Sequence, residues 1–299
     1  TSAVPALLDR LQDGVPIVRT DAAFALTHMP PGSVPAERLL EVLRYERDSD
    51  MQRRLIAILG HTGDAASLQS LLDVGLPDLR DPDVALALAR YAMRGITSMR
   101  GTDWLIEHLT ASNTSVRRNA AYAFGRVDSL AVGRADTLRQ ALDAYGRGDF
   151  AAAPLLRALG RRDDPTDAAR FAEWLQSASD WRVRVEAARA LAGLDTSSVP
   201  PVLVRALDND HPLVARTAAE TLAGLNWTEE TRTAVGVWIS AHPDRWPVVA
   251  PLLRGPGGRC GIGRALKTVT QWRTDRSPFA YAAALPALAH VEQSEADSL

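Results

Sequence analysis

Ser115–Asp128 reads SVRRNAAYAFGRVD, and the chain is built from this unit. Similar text recurs as VRTDAAFALTHM from Val18, MQRRLIAILGHTGD from Met51, VRVEAARALAGLD from Val183 and LVARTAAETLAGLN from Leu213. Each copy has a large apolar residue, a mostly basic pair, small residues (in most copies around an Ala-Ala step), then Leu or Phe and usually a Gly. Two weaker copies, DVALALARYAMRG from Asp83 and FAAAPLLRALGRRD from Phe150, fill the gaps. In the central copy the apolar positions after Val116 are Ala120, Ala121, Phe124 and Val127. They form one stripe on a helix of 3.6 residues per turn. The alanine pair lets a neighbouring helix come close without leaving a void. Gly60, Gly125 and Gly160 follow the last large apolar residue and are expected at helix C-termini, where a left-handed residue is often needed.

A second amphipathic segment precedes most copies. PAERLLEVLRYE (Pro35–Glu46), DAASLQSLLDVG (Asp64–Gly75), TDWLIEHLTAS (Thr102–Ser112), PTDAARFAEWLQSA (Pro165–Ala178) and VPPVLVRALDND (Val199–Asp210) are the examples. Several open on a capping residue or a first-turn Pro. Each repeat is therefore a helix A, a turn and a helix B. Gly60, Gly95, Gly125, Gly160, Gly193, Gly224 and Gly255 recur every 30 to 35 residues. That period, with two helices in it, predicts an all-α fold, a solenoid of about nine repeats.

The helix B text, apolar-Arg-x-x-Ala-Ala-x-Ala-Leu-Gly, is best seen as Val116-Arg117, Ala120-Ala121, Phe124-Gly125 and as Val183-Arg184, Ala187-Ala188, Leu191. In this it resembles the HEAT-repeat family, in the short bacterial form. The resemblance implies about seven regular repeats over residues 1–226 and degenerate repeats with a cap over 227–299, in one continuous solenoid. It also implies that the solenoid is right-handed and that helix B lines its concave face.

Along the chain, repeat 1 pairs Ala3–Leu11 with Ile17–Met29. Repeats 2, 3 and 4 run Pro35–Gly60, Asp64–Gly95 and Thr102–Asp128. Repeat 5 starts near Arg134 and carries Pro154 in its helix B, so a kink or late start is expected. Repeats 6 and 7 span Pro165–Asp195 and Val199–Asn226. Thr228–His242 reads as a further helix A, Gly255–Gly263 as a loop, and Ile262–Thr274 with Ser277–Val291 as a closing helix pair.

No apolar run approaches the ~18 residues of a membrane span, so no membrane association is expected. Cys260 is the single cysteine, which excludes an internal disulfide and fits a reducing, cytoplasmic setting. The formal charge of −2 argues against a dedicated nucleic-acid binder. Of 34 basic residues Lys267 is the one lysine. The rest are Arg, whose planar fork binds carboxylate or phosphate through two bonds.

Residues 3, 6 and 10 after each register residue should face out of the core along the B helices. Position 3 gives Asp21, Arg54, Asn119 and Glu186. Position 6 gives Phe24, Ala57, Arg90, Tyr122, Arg157, Arg189 and Glu220, and position 10 gives His28, His61, Arg94, Arg126, Arg161 and Gly193. Arg54, Arg90, Arg94, Tyr122, Arg126, Arg157, Arg161 and Arg189 are thus the candidate stripe for an acidic protein or peptide partner. Arg19, Arg117 and Arg184 directly follow the register residue, and the resemblance implies that they pair with loop aspartates. Trp181 and Trp227 sit at helix-loop junctions and are candidate part-exposed anchors.

No HExxH, His-Glu pair or clustered Cys/His spacing is present, so no metal is expected. GRCGIGR (Gly258–Arg264) places Arg264 where a phosphate loop has Lys, and no buried strand precedes it. No cofactor is called for. The expected function is a non-catalytic scaffold that binds its partner through the concave face. Two alternatives share the fold. One is a HEAT-like nucleic-acid-binding protein or alkylated-base DNA glycosylase, to which an Arg groove with Trp181 or Trp227 is loosely similar. The other is a bilin-lyase-like chaperone, to which the repeat text is similar, although no pigment site is visible.

Overall fold

The structure is a computed structural model describing residues 3–74, 80–194, 197–242, 245, 248, 251 and 252. Among these the chain is all-α, with sixteen α-helices and no strand. It divides into two compact units, Thr1–Ala158 and Leu159–Leu299. In the first unit α1 (Val4–Arg10) pairs with α2 (Pro16–Thr27), and α3 (Ala36–Tyr45) with α4 (Ser49–Thr62). α5 (Ala65–Asp73) pairs with α6 (Asp81–Met93), and α7 (Met99–Glu107) with α8 (Thr114–Arg126). A short α9 (Asp128–Ala131), which the sequence pattern does not announce, precedes α10 (Ala135–Ala144). α11 (Ala152–Gly160) carries the division between the units. In the second unit α12 (Ala168–Ser177) pairs with α13 (Trp181–Ala190) and α14 (Val199–Ala206) with α15 (Pro212–Ala223), followed by α16 (Glu229–Ala241). The loop around Cys260, Trp272 and the closing helix pair lie outside the described residues.

The second helix of each pair carries the repeat text. Its alanine pairs, Ala22-Ala23, Ala120-Ala121, Ala187-Ala188 and Ala218-Ala219, are all buried. Leu26, Leu55, Ile56, Leu59 and Phe124 fill the core of the first unit; Phe171, Trp174, Val183 and Leu222 fill that of the second. In the first unit the B helices α2, α4, α6 and α8 pack on one another more extensively than α3, α5 and α7 do. Small residues at the B-helix contacts allow this. The B side is thus the more closely packed side of this unit.

Three glycines work differently from the expectation. None of Gly60, Gly125 and Gly160 is in the left-handed region. They lie within α4, α8 and α11 at the ninth position after the register residue. A Cβ at Gly60 would stand 2.9 Å from Ala87 Cα, one at Gly125 2.8 Å from the Pro154 carbonyl oxygen, and one at Gly160 2.7 Å from Ala190 Cα. Their missing side chains admit the backbone of the next B helix. The left-handed role falls to Gly95 (φ 79°) and Gly193 (φ 80°). Gly95 directly follows the C-cap of α6, and the Ile96 amide donates back to the Tyr91 carbonyl at 2.9 Å.

Turns between A and B helices are fixed from both sides. Asp48, Asn113 and Asp180, each three residues before the register residue, accept first-turn amides of α4, α8 and α13. The residue after the register residue then reaches back six positions to the end of the preceding turn. Arg19 donates to the Asp13 carbonyl at 3.0 Å, Arg117 to Ala111 at 2.6 Å and Arg184 to Ala178 at 2.5 Å. Gln52 makes the same bond to Glu46 at 2.8 Å. The loop-aspartate ion pair is made by Arg117, whose Nε and Nη2 lie 2.9 and 2.7 Å from Asp149 Oδ2. α11 starts late, at Ala152, which puts Pro154 in its first turn, where no amide partner is lost. α7 starts early, at Met99, because Ser98 Oγ caps it by accepting the Gly101 amide at 3.0 Å.

Candidate partner-binding face

Outward positions of α2, α4, α6 and α8 form one face of the first unit. Asp21 and Phe24 come from α2 and His28 from its C-cap, Arg54 and His61 from α4, Arg90 from α6 and Arg94 from its C-cap, Tyr122 and Arg126 from α8. Phe24 is 62% exposed and tilts against His28, with ring centroids 4.5 Å apart. The His28 Nδ1 is 2.9 Å from the Phe24 carbonyl oxygen.

The arginines of this face do different jobs. Arg94 is half-buried, and its two terminal nitrogens donate to the Gly63 and Gly60 carbonyls at 2.7 and 3.1 Å. It closes the C-terminal end of α4 and lies over the Tyr91 ring, 5.0 Å from its centroid. Arg126 is exposed and folds back on its own helix, its Nε donating to the Tyr122 hydroxyl at 3.2 Å. Arg54 and Arg90 meet no carboxylate at ion-pair distance among the described residues. Burial makes the Arg90 guanidinium easier to deprotonate than usual, opposed by Tyr122 and by Asp83 through space. Asp83 itself pairs with Arg80 at 3.3 Å. Asn119 does not face solvent as a donor: its amide ties α8 to α6 through the Pro82 carbonyl at 2.7 Å. Arg157, on α11, is part-exposed and engaged with its surroundings.

In the second unit Arg161 and Arg189 are exposed. Arg189 donates to buried Glu186 at 3.0 Å, so its charge is already matched within α13. Trp181 is part-exposed but covered on its ring faces. It stacks on His211 with centroids 4.3 Å apart and planes 8° apart, and the Arg182 guanidinium lies 4.7 Å from its centroid. Trp227 is not an exposed anchor. It is buried, and its indole N–H donates to the Leu222 carbonyl at 2.6 Å, closing the end of α15. An apolar ring of that size at the end of a B helix stabilises more by filling the core than by waiting in solvent.

An open groove of about 440 Å³ between α14 and α16 is lined by Pro200, Val204, Asn226 and Thr231, with Arg205 and Glu230 supplying both signs. Aromatic-histidine pairs four residues apart recur at Phe24–His28, Trp104–His108 and Trp238–His242. In each, the histidine Nδ1 faces the carbonyl of the aromatic residue. The i, i+4 spacing was readable in the sequence; its repetition was the signal overlooked. Among the described residues no group of three or more His, Cys, Asp or Glu could hold a metal ion, and no helix is long and apolar enough to cross a membrane.

Residues 136–223 match the family model described as HEAT repeats. No curated protein matches the chain. Among solved structures it is similar to engineered proteins. One crystal structure is 19% identical over 97% of this chain and 88% of that one, with a TM-score of 0.49. Another is 18% identical over 98% of each chain, with a TM-score of 0.22.

Proposed function

We propose that this chain, which carries HEAT repeats, is a non-catalytic scaffold that holds a protein or peptide partner on the B-helix face of its first unit. One observation carries the reading: Arg54 and Arg90 present charge on that face without a carboxylate at ion-pair distance among the described residues. Phe24 and Tyr122 stand on the same face. Unmatched cations beside exposed aromatic rings suit a partner that brings acidic and apolar groups together. The overall charge of −2 favours a protein partner over nucleic acid, because a backbone of phosphates would meet a net-negative chain.

The test is affinity capture from host lysate, read by mass spectrometry, with wild type beside an Arg54/Arg90/Arg126→Ala variant. A protein recovered by wild type and lost by the variant, whose melting is unchanged, supports the face as the partner site. The same protein recovered equally by both refutes it.

A further inference from the structure

We propose that His61 and Arg90 form a proton-linked oxyanion subsite, which takes an acidic side chain of the partner peptide. The inference rests on the reading above and deepens it.

The pairing comes from the repeat register. His61 is at position 10 of α4 and Arg90 at position 6 of α6, so both point out of the core on adjacent helices. Gly60, next to His61, lets the Arg90 side chain lie flat: a Cβ there would stand 3.3 Å from Arg90 Cδ. The guanidinium is thereby brought beside the end of α4. Arg94 does not compete for a ligand, since its terminal nitrogens are held by the Gly60 and Gly63 carbonyls. It contributes fixed positive charge. The side chains of His61 and Arg90 make no hydrogen bond or ion pair among the described residues. Two donors without a bonded partner and one immobile cation suit a carboxylate; Asp83, the acid that acts on Arg90 through space, is paired with Arg80.

The groups felt by His61 are Arg90 and Arg94 on α6 and His28 on α2. Burial first, and then these charges, hold its imidazole below the ordinary histidine value of 6.5. An anion placed between His61 and Arg90 offsets these positive charges and, by pairing with the imidazolium, raises that value. The anion therefore binds more tightly as pH falls. Affinity gains about tenfold for each unit by which the anion raises the histidine pKa.

The experiment titrates the whole chain with a fluorescein-labelled peptide of six glutamates, by anisotropy, from pH 7.5 to 5.5. This range lies above the glutamate pKa, so the peptide's charge stays nearly constant over most of it. Wild type should bind more tightly at the lower pH. His61→Gln should abolish that rise while keeping the affinity at pH 7.5 within about twofold, and His28→Gln should retain the rise. Arg90→Gln should weaken binding about tenfold at both ends of the range. An NMR titration of His61 in the wild type reads the same linkage without a variant: its pKa should rise when the peptide is added.

An unchanged slope in His61→Gln, an unchanged affinity in Arg90→Gln, or an unmoved His61 titration overturns the subsite. Tighter binding of a labelled twelve-nucleotide DNA strand than of the peptide overturns it in favour of phosphate. If capture of the lysate partner still depends on the face while the His61 linkage fails, this subsite falls and the wider reading stands. If capture is indifferent to the face, the wider reading falls.

Discussion

Arg117 holds two backbone carbonyls and a carboxylate with one side chain. Its bonds to Ala111, Ser112 and Asp149 join the turn inside one repeat to the loop of the next. Both partners of the ion pair are mostly buried, with Asp149 9% exposed. Removing the cation leaves that carboxylate uncompensated, and Arg117→Ala should cost about 3 kcal/mol in chemical denaturation. Arg117→Lys should restore less than half, because an ammonium cannot make the same fork of bonds. At Tyr91 the sign runs with alkali. Its hydroxyl shares a hydrogen bond of 2.9 Å with Ser67 Oγ, and burial pushes its pKa up to about 12. The folded chain keeps that proton longer than the unfolded chain, whose tyrosine titrates near 10. The contribution is thus complete below pH 10 and lost as pH rises through about 12. Tyr91→Phe should melt lower than wild type at pH 8, by about 1 kcal/mol for the lost bond. The gap should close as the melts are repeated toward pH 11.

At the scale of the helix, the B-helix contacts depend on missing atoms. At Gly125 a Cβ would enter the Pro154 backbone, which cannot turn aside as a flexible side chain does. Gly125→Ala should therefore destabilise by about 1–3 kcal/mol despite its better helix propensity, measured by urea unfolding. The same substitution at Gly146, where nothing lies within 4 Å, provides the control. The helices themselves were legible in the sequence because the alanine pairs and the period repeat many times. What each outward residue touches was not. Asn119 and Arg94 sit at the same outward positions as Arg54 and His61, yet they are spent on carbonyls of the neighbouring helix. Periodicity fixes direction, whereas reach and acceptor depend on how close the next helix comes. For the same reason Gly60, Gly125 and Gly160 read as caps until the approach of the next backbone was seen, and Trp227 read as a surface ring until its burial was.

At the scale of the molecule, charge is sorted more finely than the net value of −2 suggests. Several arginines are paired within a turn of their own helix, as Arg10 with Asp13, Arg139 with Asp136 and Arg232 with Glu229. Such exposed pairs add little stability but cancel long-range charge. Arg54 and Arg90 have no carboxylate at ion-pair distance among the described residues, although Asp48 and Asp83 act on them through space. The close approach at Gly60 and Gly125 also has a mechanical consequence. Backbones already in contact along the B side cannot be compressed further there, whereas the A helices touch less. Under compression along its stack the first unit should yield on its A side, against a nearly incompressible rail of B helices. A partner seated on that rail would keep its spacing of anchors while the rest of the unit flexes behind it.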